Sequence, residues 1–129
     1  MKEKLDIIFS KFIRLRDTDE YGYGECITCG GRFRYKDLEA GHFRHRRHLT
    51  TRWLEQNVHA QCFECNRKDD IGAYMIAMLG KYDMEVASEI IAKSKVSYKF
   101  TKDEYAEMYQ VYRAKVKELL VDKMFIIQY

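Results

Sequence analysis

The chain has 129 residues, of which 47% are hydrophobic and 14% aromatic, and its formal net charge is +3. This length predicts one domain, 1–129, with a modest core, and the composition excludes an intrinsically disordered chain. No apolar run approaches the roughly 20 residues that a membrane-spanning helix needs, so we expect no membrane partner.

The first half of the chain predicts one helix followed by an irregular region. Leu5, Ile8, Phe9, Phe12 and Ile13 recur at spacings of three and four residues, which predicts an amphipathic helix over 2–16. A polar connection is expected over 17–24. No helical period is sustained from 25 to 61, and short strands or a hairpin are expected at 31–35 and 40–44.

Three further helices are predicted after the irregular region. Apolar residues over 71–79 share one helix face, and Gly80 is placed to end that helix. Asp83 is a candidate N-cap for the second helix. The third begins with a capping-box pattern over 101–104. The methionine and tyrosine stripes of these helices are expected in the core or in a subunit interface.

The four cysteines form two Cys-x-x-Cys pairs, which are Cys26 with Cys29 and Cys62 with Cys65. Each pair brings two sulfurs together on a tight turn, and two pairs complete the tetrahedral ligand set of zinc. Gly30 follows the first pair, where such a turn often needs a positive φ. The alternatives are two disulfides or a redox motif. Disulfides are typical of secreted proteins, whereas residues 1–4 do not form a secretion leader, so we expect a cytoplasmic protein with structural Zn²⁺.

Positive charge is concentrated between the two cysteine pairs. Because lysine and arginine displace the counterions condensed on a phosphate backbone, this segment predicts contact with DNA, and a solvated basic face is the alternative. For one member, His59, a phosphate contact, a metal contact and simple packing beside the second cysteine pair are all open. The residues expected to contact DNA are Arg32, Arg34, Arg44, Arg46, Arg47, Arg52 and His59, with His45 and His48 in the same basic segment.

A histidine and two asparagines lie in register with the cysteines. They are His42 in A-G-H-F, Asn57 in N-V-H-A-Q-C, and Asn66 in C-N-R-K. A neutral imidazole, with a pKa of about 6.5, can accept a proton at neutral pH, and an asparagine oxygen suits a hard cation such as Mg²⁺. This arrangement resembles the HNH, or ββα-metal, nuclease family. Over 26–82 the motifs are similar to those of the phage NinG (Rap) recombination proteins within that superfamily.

The resemblance implies an α+β fold with a small ββα-metal core over 25–82 that contains the four-cysteine zinc site. A helix over 1–16 and helices in 83–129 would flank this core. It also implies an endonuclease, dependent on Mg²⁺ or Mn²⁺, that cuts branched recombination intermediates such as Holliday junctions and D-loops in the host cytoplasm. His42 would be the general base, Asn57 would hold the intervening loop, and Asn66 would bind the divalent metal.

Gly41 departs from the wider HNH pattern, in which an acidic metal ligand directly precedes the catalytic histidine. Glu39, Asp69 or Asp70 could substitute for that acid. Asp70 follows Asn66 by four residues and would share its helix face if the helix has already begun. Each of these acids could instead be a helix cap or a surface charge.

Two other functions remain open. A zinc ribbon could bind nucleic acid without cutting it, and an HNH nuclease could lack any preference for branches. A bare ribbon needs the four cysteines but not the histidine and asparagines in register with them, which favours the nuclease. Because a four-way junction has approximate twofold symmetry, we expect a homodimer, with the N- and C-terminal helices as candidate interfaces.

Overall fold

The computed structural model describes residues 1–123, so residues 124–129 of the predicted C-terminal helical region 83–129 lie outside the described residues. Within the described part, the protein is a mixed α+β fold of six α-helices and two small sheets. The elements are α1 (Lys2–Arg16), β1 (Tyr23–Glu25), β2 (Arg32–Arg34), β3 (Leu38–His42), α2 (Leu49–Arg52), β4 (Val58–Cys62), α3 (Phe63–Lys68), α4 (Ile71–Lys81), α5 (Met84–Ser94) and α6 (Lys102–Asp122).

The terminal helices α1 and α6 pack on each other. The apolar face that the sequence predicts for α1 is buried, and it joins Tyr105, Tyr112 and Val116 of α6 in one core cluster. The rings of Phe9 and Tyr112 meet edge to face, with centroids 4.8 Å apart. These two faces are therefore packed against each other within the chain.

The strands form two antiparallel pairs, β1 with β2 and β3 with β4. In the second pair Gly41 lies opposite His59, and His42 lies opposite Val58. The predicted strands at 31–35 and 40–44 overlap β2 and β3. All five residues of β4 are buried, so this strand lacks the alternation that marks a half-exposed strand.

The helix caps confirm the predicted starts of the last two helices. The Asp83 side chain accepts the Val86 N–H at 2.9 Å, and Thr101 and Glu104 form a reciprocal capping box. Helix α4 extends to Lys81, one residue beyond Gly80. The region from 25 to 61, for which no helix was expected, contains the four-residue helix α2.

A second core cluster joins the loop after β3 to helices α4 and α5. It contains Phe43, Tyr74, Met78 and Ile90, whereas Val58 of β4 belongs to the cluster around α1 and α6. The β3–β4 pair is thus packed from both sides, which fixes the position of His42 at the end of β3. Among the described residues, no helix has both the length and the apolar character needed to cross a membrane.

Candidate functional site

The four cysteines form a cluster whose sulfur atoms all lie within 4.8 Å of one another, namely those of Cys26, Cys29, Cys62 and Cys65. In a tetrahedral zinc site with Zn–S bonds of about 2.3 Å, the sulfurs are about 3.8 Å apart. All four are free cysteines, so the disulfide alternative is not supported. Four soft donors at this spacing fit a structural zinc ion.

Local backbone geometry presents both cysteine pairs. Gly30 has a φ of 73°, and its N–H donates to the Cys26 carbonyl at 2.9 Å, which closes the first turn. Cys62 is the N-cap of α3, and its Sγ accepts the Cys65 N–H at 3.5 Å. Zinc bound here would tie the β1–β2 hairpin to β4 and α3.

A cleft of about 440 Å³ opens between α1, β3 and α3. It brings together His42 and Asn66, which the sequence analysis selected, and Glu39, which was one of three candidate acids. Basic side chains from four different segments surround them. The residues of the cleft used below are Asp6, Arg14, Lys36, Glu39, His42, Arg46, Asn66 and Arg67.

One ring nitrogen of His42 forms a hydrogen bond that fixes the ring, and the other is available as an acceptor. Its Nε2 lies 2.9 Å from the carbonyl oxygen of Arg52. Because a carbonyl only accepts, Nε2 carries the proton and Nδ1 is the free acceptor. Burial lowers the pKa of His42 below its usual value, and the positive charge of Arg46 acts in the same direction. The imidazole is therefore neutral at pH 7 and can accept a proton at Nδ1.

Asn57 is fully buried and organises the loop that follows β3. Its Oδ1 accepts the Arg44 N–H at 2.8 Å, and its Nδ2 donates to the carbonyls of Arg44 and Thr51 at 3.1 and 2.9 Å. The loop between those contacts leads to Arg52, whose carbonyl holds His42. Asn57 thus acts on the site through the loop and does not line the cleft.

Asn66 and Glu39 are joined directly at the mouth of the cleft. The Asn66 Nδ2 donates to Oε1 of Glu39 at 2.7 Å, and Arg67 donates to both carboxylate oxygens, at 3.2 and 3.3 Å. A carboxylate and an amide oxygen are the hard donors that Mg²⁺ and Mn²⁺ prefer. The Asn66 amide presents its nitrogen to Glu39, so one carboxylate and one amide that would have to rotate are what the two residues offer to a cation.

Asp70 does not share a helix face with Asn66, and that prediction is wrong. Helix α3 ends at Lys68 because Asp69 adopts a left-handed conformation with φ of 51°. Asp70 then caps α4, and its carboxylate accepts the Ala73 N–H at 3.0 Å. Among the described residues, neither aspartate lines the cleft, which leaves Glu39 as the acid beside Asn66.

Several arginines of the basic segment already have partners. Arg46 and Arg52 both form ion pairs with Asp6 of α1, and only 12% of the Arg52 side chain is exposed. The Trp53 Nε1 donates to the same carboxylate at 3.0 Å. Arg52 therefore contributes to the fold, and Asp6 is saturated with donors.

The remaining basic residues face different environments. Arg44 donates to the Ser94 Oγ at 3.0 Å, whereas Arg32 stacks on Tyr23 and pairs with Asp19 on the β1–β2 side of the protein. Both Arg34 and Arg47 are exposed, as is His45, while His48 is half-buried. The predicted DNA-binding arginines thus do not form one continuous surface.

His59 is 1% exposed, so the prediction that it contacts DNA is wrong. Its ring nitrogens lie 3.1 Å from the Tyr74 hydroxyl and 2.8 Å from the Tyr82 hydroxyl. Burial lowers the pKa of His59 to about 3, and the charge of Arg16 adds to this effect. The Tyr74 hydroxyl also donates to the Gly41 carbonyl at 2.7 Å, so this buried group supports β3 beside His42.

Four charged residues of the cleft had no predicted role in the site, and one of them, Lys36, lies in the basic segment between the cysteine pairs. Arg14 and Asp6 lie on the polar face of α1, which the helical period marked only as solvent-facing. Arg67 directly follows Asn66 in the C-N-R-K motif. That adjacency was the one sequence signal for its place in the site.

These features define a small α+β protein with a four-cysteine cluster that could hold a metal and a basic cleft that contains a neutral histidine. A family model described as Bacteriophage Lambda NinG protein matches residues 1–122, and the chain belongs to the NinG family. The match includes α1 and α6 as well as the segment with the motifs. Searches of curated proteins and of solved structures find no match.

Proposed function

We propose that this protein is a metal-dependent DNA endonuclease of phage recombination, with an HNH-type site built around His42. Membership of the NinG family supports a function related to phage recombination. The observation that carries the enzymatic part is the state of His42. Its Nε2 is fixed by the Arg52 carbonyl, and its lowered pKa keeps Nδ1 free to act as a base.

In the proposed reaction, Nδ1 of His42 takes a proton from a water molecule as the water oxygen attacks phosphorus. The bond from phosphorus to one deoxyribose oxygen then breaks. The Arg52 carbonyl keeps the charged imidazolium oriented after the transfer. A divalent ion, Mg²⁺ or Mn²⁺, held by the oxygens of Asn66 and Glu39 would supply electrostatic stabilisation of the charge that develops on the phosphate.

The basic residues of the cleft provide a place for the DNA backbone. Arg14 lines the cleft from α1, and Lys36 lines it from the turn before β3. Their positive charge would hold the phosphates that flank the cut bond. Zinc would have a structural role only, since four thiolates leave no ligand position open for water or substrate.

The preference for branched DNA, the homodimer and action in the host cytoplasm are parts of the same proposal. Branch specificity is supported by family membership. A junction with approximate twofold symmetry is suited to two copies that each cut one strand. The outer faces of the terminal helices, rather than their packed apolar faces, would have to form that interface.

The test is cleavage of a four-way junction, a duplex and a single strand with Mg²⁺ or Mn²⁺. We expect His42→Ala to lose roughly 10²-fold to 10⁴-fold in rate while it retains zinc and junction binding. His48→Ala is the matched control and should cut at the wild-type rate. Because burial lowers the pKa of His42, the acid-side fall in the wild-type rate should lie at a lower pH than an ordinary histidine would give.

Two results would contradict the proposal. Wild-type cleavage by His42→Ala would exclude this histidine as the base. A wild-type protein that binds junctions but cuts no DNA with any divalent metal would instead be a zinc-containing binding module. Gly41, where the wider family pattern has an acid, is the observation that favours this second function.

A further inference from the structure

We infer that Glu39 is the charged metal ligand of the cleft and that Arg67 blocks it until a DNA phosphate draws the guanidinium away. Metal and DNA would then bind cooperatively at this site. The inference rests on the proposed function, because it assigns the cation of that reaction to a particular carboxylate. It adds a regulatory contact that neither the motifs nor the family membership indicates.

Two carboxylates line the cleft among the described residues, and only one of them is available. Asp6 receives hydrogen bonds from Arg46, Arg52 and Trp53, so a cation there would displace three donors. Glu39 receives hydrogen bonds from Asn66 and Arg67 alone.

Asn66 is placed to share a cation with Glu39. Its Nδ2 is 2.7 Å from Oε1 of that carboxylate, and rotation of the amide by half a turn would direct its oxygen toward the same region. Two hard oxygens would then converge in the cleft that His42 also lines, and the remaining ligands would be water and substrate phosphate.

The Arg67 guanidinium forms an ion pair with the Glu39 carboxylate, but this ion pair is weak. The guanidinium donates to both oxygens of Glu39, yet 57% of the Arg67 side chain is exposed. An ion pair exposed to this degree contributes little, because solvent screens the two charges. The guanidinium also lies 4.4 Å from the ring centroid of Phe63, which is itself exposed, so it is positioned at the surface of α3 where DNA would arrive.

A phosphate offers Arg67 the same bidentate geometry that Glu39 offers. Transfer of the guanidinium to DNA removes a positive charge from the carboxylate and thereby raises its affinity for a cation. By thermodynamic reciprocity the cation raises the affinity for DNA by the same factor. The metal site would thus be complete only when DNA is bound, which limits metal binding to the productive complex.

The probe is Mn²⁺, titrated by electron paramagnetic resonance into zinc-loaded full-length protein with and without a four-way junction. All proteins carry His42→Ala so that the DNA stays intact. We expect Glu39→Gln to weaken Mn²⁺ binding at least tenfold with no change in zinc content or melting temperature. Arg67→Ala should bind Mn²⁺ several-fold more tightly without DNA, and the junction should then raise its affinity less than in the parent.

Lys68→Ala is the matched control, since it removes the same charge one residue further along α3, outside the cleft. It should change Mn²⁺ affinity less than twofold. The ligand assignment is overturned if Glu39→Gln binds Mn²⁺ as tightly as the parent, and the role of Arg67 is overturned if Arg67→Ala behaves as Lys68→Ala does. Cleavage by the protein with an intact His42 is measured separately. If the protein cuts DNA but the Mn²⁺ affinities do not change as expected, only the inference about Glu39 and Arg67 is refuted. If Mn²⁺ and DNA bind cooperatively but no DNA is cut, only the proposed nuclease activity is refuted.

Discussion

The side-chain amide of Asn57 bonds both backbone groups of Arg44, accepting its N–H at 2.8 Å and donating to its carbonyl at 3.1 Å. The third bond, to the Thr51 carbonyl, spans the loop after β3. The following residue, Arg52, holds Nε2 of His42. A fully buried side chain that never lines the cleft therefore determines where the proposed base is held.

We predict that Asn57→Ala destabilises the protein by about 2–4 kcal/mol, because it leaves buried backbone groups without partners. Urea unfolding of the zinc-loaded protein measures this loss. Asn66→Ala is the control, since Asn66 bonds one side chain at the cleft mouth, and it should cost less than about 1 kcal/mol. Equal losses for the two variants would contradict the loop-holding role.

A second prediction concerns the path of the DNA. Lys36→Ala should reduce the log–log salt slope of DNA binding by about one, because each phosphate contact releases roughly one counterion. Arg32→Ala should leave the slope unchanged, since Arg32 stacks on Tyr23 and pairs with Asp19 outside the cleft. Fluorescence anisotropy at several salt concentrations makes the comparison, and the opposite order would place the DNA on the β1–β2 side.

The third prediction concerns zinc. Cys62→Ser should lose zinc and lower the melting temperature by at least about 10 °C, because metal binding to a site that joins distant segments is part of the folding free energy. Metal analysis and differential scanning calorimetry test this together. Wild-type protein stripped by a chelator should melt at the same temperature as the variant. A variant that loses zinc yet melts as the wild type does would show that the metal has no structural role.

The fourth prediction follows from the pKa of His59, which is about 3 in the folded protein and about 6.5 in an unfolded chain. Below pH 6.5 the unfolded chain binds a proton that the folded protein does not. The stabilisation from this group is therefore complete above pH 6.5 and decreases as the pH falls toward 3.

Between pH 7 and pH 5, this one group should remove about 2 kcal/mol of unfolding free energy. His59→Gln keeps polar atoms near the two tyrosine hydroxyls but does not titrate. Between pH 7 and pH 5 its free energy of unfolding should therefore fall by about 2 kcal/mol less than that of the wild type. Zinc content is checked at both pH values. Identical pH dependence in the two proteins would show that His59 is not held neutral by its surroundings.

Elements that carry their own local signal were predictable from the sequence. The apolar period of Lys2–Arg16 and the capping box at the start of Lys102–Asp122 each lie within one element, and both predictions are confirmed. The cysteine spacing likewise predicted the cluster, because two cysteines with two residues between them need only one turn to bring their sulfurs together.

The failures depend on contacts between distant residues. His59 is buried against tyrosines 15 and 23 residues away, which no pattern around it could indicate. Asp69 ends α3 with a left-handed φ, which glycine adopts more readily than aspartate, so the end of α3 had only a weak sequence signal. The alternative that Asp70 is a helix cap is confirmed. The HNH core and the roles of His42 and Asn66 stay proposals supported by geometry.

Residue 41 is a glycine because a side chain there would collide with Gln61. A Cβ built on Gly41 would lie 1.7 Å from Oε1 and 2.5 Å from Cδ of Gln61, so no larger residue fits while that side chain remains. Gln61 is 4% exposed, and its Nε2 donates to the Thr28 Oγ1 at 2.7 Å, which restricts its movement. The space that a side chain at position 41 would take is therefore filled by a buried amide from β4.

We predict that Gly41→Ala destabilises the protein by about 1–3 kcal/mol through overpacking, and that Gln61→Ala restores most of this loss by opening the space. Urea unfolding of both single variants and the double variant gives the coupling energy, which should exceed about 1 kcal/mol. Gly72→Ala is the control, because its Cβ would meet Asp70 at an ordinary 3.5 Å and would favour the helix. Additive effects of Gly41→Ala and Gln61→Ala would show that the close approach does not explain the glycine.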